Sequence, residues 1–167
     1  NGIWQIMSIS NKRQVMNRII LIILFVMHTL MSGAQHLPQN IGRVLKQERS
    51  VVEGYAKEVY ITGRKLRSYN LTAYRSFSID INSKTKAAGK EIELAVRKDG
   101  RNAVDKEMVE LAGRLYFAVY SLKQTDSKQN RYLFYKNNAL KKEEGNIVII
   151  YMEGSATLEE IRRKFAN

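Results

Sequence analysis

The chain has 167 residues, 44% of them hydrophobic, which suits one ordinary domain with room for a buried core. It contains no cysteine, so disulfides, thiolate catalysis, Cys-ligated zinc and lipoprotein anchoring are excluded together, while the redox compartment stays open. Its formal net charge of +12 invites an anionic partner such as nucleic acid, a lipid headgroup or an acidic glycan, although the charges are scattered as on a Lys-rich soluble surface.

The first residue is Asn, and Met16 is the natural candidate start, which leaves residues 1–15 outside the fold. From Met16 the parts of a secretory signal peptide follow in order: the basic Asn17-Arg18, the apolar Ile19 to Leu30, and the small residues Ser32-Gly33-Ala34 ahead of Gln35. Cleavage is expected between Ala34 and Gln35. A spanning helix needs roughly 20 apolar residues and this run stops short, so no stable membrane span is expected after cleavage. A buried N-terminal helix would have to hide a run that is apolar all round. Residues 16–34 therefore read as a signal, and residues 35–167 as a single α+β domain in the periplasm or at the outer membrane. Removing Lys12, Arg13 and Arg18 takes the basic residues from 28 to 25 against 16 acids, so the mature domain keeps a net charge of +9.

After Pro38, the positions Ile41, Val44, Leu45, Val51, Val52 and Tyr55 predict an amphipathic helix ending near Gly54. Glu58 to Ile61 predicts a first short strand. Thr62-Gly63 opens a short basic helix with Lys65 and Arg67 outward and Leu66 inward. Asn70-Leu71-Thr72 fits a glycosylation acceptor, a motif common by chance and of little meaning in a bacterial-type export. Ala73 to Ile81 alternates as a second strand, with Phe77, Ile79 and Ile81 on one face. Ser83 to Asp99 is the best helix of the central region. Ala88, Ile92, Ala95 and Val96 form its apolar stripe, and Glu93 precedes Arg97 by four residues as a surface pair. Lys84, Lys86, Lys90, Arg97, Lys98 and Arg101 make this the densest basic region, the candidate contact face for a polyanion.

Val104, Met108, Leu111 and Leu115 fit a helical face, yet Ala112-Gly113 ahead of Leu115 to Tyr120 reads better as a hairpin with Glu107 to Leu111 as its weaker arm. Arg131 to Tyr135 is the next strand. Ile147 to Met152 is short, wholly apolar and rich in β-branched residues, which predicts a strand buried on both faces. Gly154-Ser155 breaks it. Thr157 and Glu160 then form a capping box for a last helix whose Leu158, Ile161, Arg162 and Phe165 recur at helical spacing, so that it can fold back on the sheet. The expected fold class is α+β, an antiparallel β-meander of five or six strands with helices packed on one face and a C-terminal capping helix.

The chemistry this inventory supports is sparse. His28 leaves with the signal and His36 stands beside the new terminus, so neither a Ser-His-Asp arrangement nor a histidine-rich metal site can be assembled. Neither phosphate-binding glycine motif is present, and no cofactor is expected. A carboxylate pair for glycoside hydrolysis would draw on Asp80, Asp99, Asp105 and Glu153, residues at element ends where caps and solubilising groups are the common use. A helix start after Gly154-Ser155 could hold an anion, but Glu153, Glu159 and Glu160 crowd it with negative charge. Arg114 to Tyr120 superficially resembles the aromatic strand of RNA-recognition folds, with Leu115 where Gly is needed and Ala118 where an aromatic is needed. The nine Tyr are expected at core edges, rings inward and hydroxyls outward.

The signal followed by EVYITGRKL, NRYLFY and IVIIYMEGSATLEEIRRKF resembles the small exported proteins of unknown function common in the Bacteroidota. The likeness spans roughly Ala56 to Phe165. It implies an α+β exported domain with no established activity, and no catalytic or binding residue is carried over. The leading expectation is a non-catalytic envelope binding module whose partner is an envelope protein or an anionic polymer, nucleic acid being disfavoured in that compartment. A polyanion-binding protein using Lys84 to Arg101 is the second reading and a carboxylate-dependent hydrolase the third.

Overall fold

The computed structural model describes residues 37–124, 128–142 and 144–166. Residues 1–34, including Ala34 of the expected cleavage site, and Gln35 lie outside them. The chain divides into two compact units: residues 35–155 carry the sheet and four helices, and the described part of the other is residues 156–166.

The first unit opens with helix α1 (Gln39–Gln47) and a single turn, α2 (Arg49–Val52). These replace the one long helix expected up to Gly54, because the backbone breaks out of helical geometry at Glu48 (φ −84°, ψ 2°). Strand β1 (Ala56–Thr62), the turn α3 (Arg64–Arg67), with Leu66 buried as expected, and β2 (Leu71–Ile81) follow. Helix α4 (Lys86–Asp99) starts later than its sequence pattern. Asn82 Oδ1 accepts the N–H groups of Lys84 and Thr85 in a side-chain turn that competes with helix there. A 3-10 turn (Gly100–Asn102) leads into β3 (Asp105–Leu111), β4 (Arg114–Leu122), β5 (Asn130–Asn137) and β6 (Gly145–Gly154). The β3–β4 connection is a two-residue turn with positive φ at both Ala112 (49°) and Gly113 (73°), the primed geometry that fits the twist of a hairpin. The hairpin reading of this stretch therefore holds.

All six strands form one sheet in the order β1-β2-β6-β5-β4-β3, with every neighbouring pair antiparallel. Strands β3 to β6 are the expected meander. The β1–β2 hairpin joins on the β6 side, which places β6 inside the sheet, and all of Ile147 to Met152 are at most 5% exposed. Helices α1 and α4 cover one face. Ile41 and Val44 of α1 and Ala88, Ile92, Ala95 and Val96 of α4 meet Phe77, Ile79, Leu115, Ala118, Tyr120, Leu133, Tyr135, Ile147 and Ile149 in a single apolar core. Tyr74, Val119, Tyr132, Val148, Ile150 and Met152 are buried on the other face.

Because β2 lies next to β6 while β3 is the far edge, α4 must carry the chain across the sheet, and polar contacts secure its middle and its C-terminal end. Asp99 at its C-terminus accepts the N–H groups of Asn40 (3.0 Å) and Ile41 (2.8 Å), capping the start of α1 from a distant part of the chain. Glu93 is buried, contrary to the surface pair expected for it. Its Oε1 accepts the Leu115 N–H (2.8 Å) and an Arg97 Nη2 proton (3.2 Å), and its Oε2 accepts from Arg114 Nε (2.7 Å). Leu115 adjoins a bulge in β4 opposite Val109 and Glu110, where the ladder is interrupted. The helix carboxylate stands in for the missing strand partner. Gly100 sits so close under the Tyr120 ring that a methyl group in its place would overlap it.

In the second unit, helix α5 (Leu158–Ala166) opens with the expected capping box: Thr157 Oγ1 accepts the Glu160 N–H (3.2 Å) and Glu160 Oε2 accepts the Thr157 N–H (2.7 Å).

Replacing Glu93 with Ala leaves the Leu115 N–H without its partner and two guanidiniums less compensated, an expected loss of about 3 kcal/mol. Urea denaturation of the variant beside the parent chain checks this. A loss below about 1 kcal/mol would show that the carboxylate is not the tie across the sheet.

Candidate functional site

Sheet register, rather than sequence proximity, assembles the most chemically varied surface of the first unit. One line of paired residues crosses all six strands on the helix-bearing face: Tyr60, Arg75, Tyr151, Leu133, Tyr120 and Lys106. The next line continues with Thr62, Ala73, Glu153, Arg131 and Leu122. Alternation along each strand puts Arg75 on the face of Phe77 and Ile79, and Arg131 on the face of Leu133 and Tyr135.

Two arginines lie over aromatic rings in this region. The Arg75 guanidinium is 5.0 Å from the Phe77 ring centre and 5.9 Å from that of Tyr60, and its Nε donates to Glu58 (2.6 Å). Tyr60 is 42% exposed, and the Arg75 and Glu58 side chains are partly open to solvent. Arg131 lies 5.6 Å from the Tyr151 ring centre, donates through Nε to the Tyr151 hydroxyl (2.8 Å), and that hydroxyl donates to Glu153 (2.9 Å). Thr72, the bulge residue of β2, donates to Gln129 (2.7 Å) beside this chain of bonds.

The Tyr151 hydroxyl is not poised as a base or nucleophile. Burial pushes it up to about 12, with Arg131 offsetting part of that and Glu153 adding to it. It is therefore neutral at ordinary pH and serves as a fixed link between a cation and a carboxylate. Two further tyrosines depart from the expected outward hydroxyls. Tyr74 and Tyr135 bury theirs with no hydrogen-bond partner among the described residues, and burial raises both, Tyr74 to about 12 against an opposing effect of Ser76. Tyr120 donates to the Met108 sulfur (3.3 Å).

The residues singled out from sequence are dispersed by the fold. Lys84, Lys86, Lys90, Lys98 and Arg101 are exposed in and around α4. Arg97 is turned away from them onto Glu110 (2.6 Å) and Glu93, and the Glu110 contact does most to hold it charged. Asp99 is the cap of α1, Asp105 accepts the Lys106 N–H next to it, and Glu153 receives Tyr151. Among the described residues, no three of His, Cys, Asp and Glu come together as metal ligands, and no helix is long and apolar enough to cross a membrane. The strand resembling an RNA-recognition motif does not present its rings together. Tyr120 is buried, and Tyr116 is the bulge residue of β4, with Lys141 4.1 Å from its ring centre.

Residues 28–165 match a family of unknown function, DUF6108. The chain belongs to the DUF6108 family. No curated protein and no solved structure matches it. For this member of DUF6108, then, the arginine–tyrosine lines are what the sheet itself offers. Sequence reading missed them because Tyr60, Arg75, Arg131 and Tyr151 are far apart along the chain; the available signal was only the apolar–polar alternation within each strand.

The buried hydroxyls give the domain an alkaline limit. Tyr74 and Tyr151 titrate near 12 in the folded state and near the usual 10 when unfolded. Below pH 10 both are neutral in either state and their contribution to stability is full. Between pH 10 and about 12 the unfolded chain ionises first, and that contribution is lost as pH rises through the folded values. The expected outcome is a fall in the urea midpoint above pH 10, with part of the tyrosinate absorbance appearing only on unfolding. Titration of all tyrosines near pH 10 without unfolding would contradict it.

Proposed function

We propose that this chain is an exported, non-catalytic interaction module of the cell envelope, of the kind common in the Bacteroidota, and that it meets a protein partner through the open end of the Tyr60–Arg75 line together with Arg131 and Glu153. The observation that carries this reading is the pair of arginines placed 5.0 and 5.6 Å from aromatic ring centres on the helix-bearing side of the sheet. Tyrosine and arginine dominate the energetics of protein interfaces. Ring contacts and the hydrogen bonds to Glu58 and the Tyr151 hydroxyl hold these long side chains in advance, so less freedom remains to be lost on binding. Each guanidinium also stands beside a carboxylate, Glu58 or Glu153, which suits a partner of mixed charge better than a bare polyanion.

Export rests on the ordered basic, apolar and small-residue segments between Met16 and Gln35. Of the carboxylates weighed for hydrolysis, Asp99 caps α1, Asp105 accepts the Lys106 N–H and Glu153 accepts from the Tyr151 hydroxyl.

Two measurements test the reading. Intact mass of the natively expressed protein after fractionation is expected to give an envelope species beginning at Gln35; a cytosolic species retaining Ile19 to Leu30 refutes export. Tyr60→Ala and Arg75→Ala are expected to weaken retention of the envelope partner by about tenfold or more, with circular dichroism unchanged. Equal retention by both variants sinks the proposed surface. A steep loss of binding between 50 and 200 mM salt, transferred to Lys84, Lys86, Lys90, Lys98 and Arg101 by substitution, would favour the polyanion reading instead.

A further inference from the structure

Among the described residues, strand β3 ends the sheet opposite β1 and pairs only with β4. It is unusual among the described residues for its exposed apolar side chains. Met108 and Val109 are 42% and 41% exposed, and Val104 just before the strand is 74% exposed; these are three of the six large hydrophobic residues so exposed among the described residues. An open strand edge of this kind is a template for another strand. Charged residues normally deter such pairing, and β3 carries Asp105, Lys106, Glu107 and Glu110. Their spacing, however, is self-complementary.

From this edge we infer that a second copy of the chain pairs with the first, β3 against β3 in antiparallel register about a twofold axis at Met108. That register is the one that overlaps the full strand, Asp105 to Leu111. It sets Lys106 of each copy opposite Glu110 of the other, Met108 opposite Met108, Glu107 opposite Val109 and Asp105 opposite Leu111. Opposite charges directly across a strand pair stabilise it, and no like charges face each other in this arrangement. Lys106, Met108 and Glu110 share the helix-bearing face by the twofold period of the strand. Glu110 already holds Arg97 at 2.6 Å on its own chain, so Lys106 of the second copy would approach an anchored carboxylate. A shift of one residue toward Glu110 places Glu107 opposite Glu110 and is penalised. The seam is about 24 Å long, small beside a standard interface of roughly 1,600 Å², so the dimer is reversible and depends on concentration. It uses the opposite side of the sheet from Tyr60 and stands independently of the envelope-partner reading.

Sedimentation velocity over a dilution series is the test, with the full chain as expressed. A monomer–dimer equilibrium is expected, weakened about tenfold or more by Lys106→Glu, an exposed position where folding is checked by circular dichroism. Mixing Lys106→Glu with Glu110→Lys chains restores both charge pairs and should recover the heterodimer. The natural chain has no cysteine, so Met108→Cys introduces a single thiol expected to link two copies on oxidation, whereas Lys57→Cys on the β1 edge should not. A monomer at every concentration overturns the inference, as does a dimer indifferent to Lys106→Glu or equal linking through position 57. Protection of the β3 amides only on adding a foreign extended peptide would assign the edge to another protein, and overturns it too.

Discussion

The structure depends on one long connection. Strand β2 finishes in the interior of the sheet and β3 starts at its far edge, so α4 has to cross the sheet and be held in register on it. Apolar contact supplies most of the attachment, through Ala88, Ile92, Ala95 and Val96. Apolar contact is not directional, however, and would tolerate sliding of the helix along the sheet. Glu93 and Asp99 remove that freedom. The first docks the helix to the β3–β4 hairpin at a backbone N–H beside a bulge, and the second fixes the start of α1. A buried carboxylate is costly unless its bonds are made, which turns these contacts into a check on register as much as a source of stability.

The same crossing determines which surface is open. Helices α1 and α4 cover the face of Phe77, Ile79, Ile147 and Ile149, while the neighbouring lines that contain Tyr60, Arg75, Arg131 and Glu153 retain partly open side chains. There the sheet carries arginines over rings instead of aliphatic residues under a helix. Arg75 is held by the Tyr60 and Phe77 rings and by Glu58, and Arg131 by the Tyr151 hydroxyl and the Lys123 carbonyl, so both guanidiniums are placed by neighbouring groups. That combination distinguishes it from the lysines of α4, which are solvated individually and share no geometry.

Two corrections to the sequence reading have a common origin. Arg97 and Glu93 satisfied the helical spacing of a surface pair, and the tyrosines satisfied the usual rule of ring in and hydroxyl out. Both rules describe an element against solvent. In the fold, the hairpin arrives over Glu93 and takes it out of water, and tyrosine hydroxyls are buried on both faces of the sheet, Tyr135 in the helix-covered core and Tyr74 opposite it. What a residue faces across the chain outweighed what its own element would have done with it.

The order and type of the elements were legible in the residues themselves: the twofold alternation of β2, the wholly apolar Ile147 to Met152, the Ala112-Gly113 turn and the Thr157–Glu160 capping box are local features, set by side-chain period and backbone preference within a few positions. Strand order and register were not, because they are decided by which apolar faces can be buried together after the chain closes long loops. Only the tertiary structure could place β6 inside the sheet, line up Tyr60, Arg75 and Tyr151 across three strands, and turn Arg97 from a basic face to a carboxylate. A candidate site built from one residue per strand exists only through that register, and no single stretch of this sequence contains it.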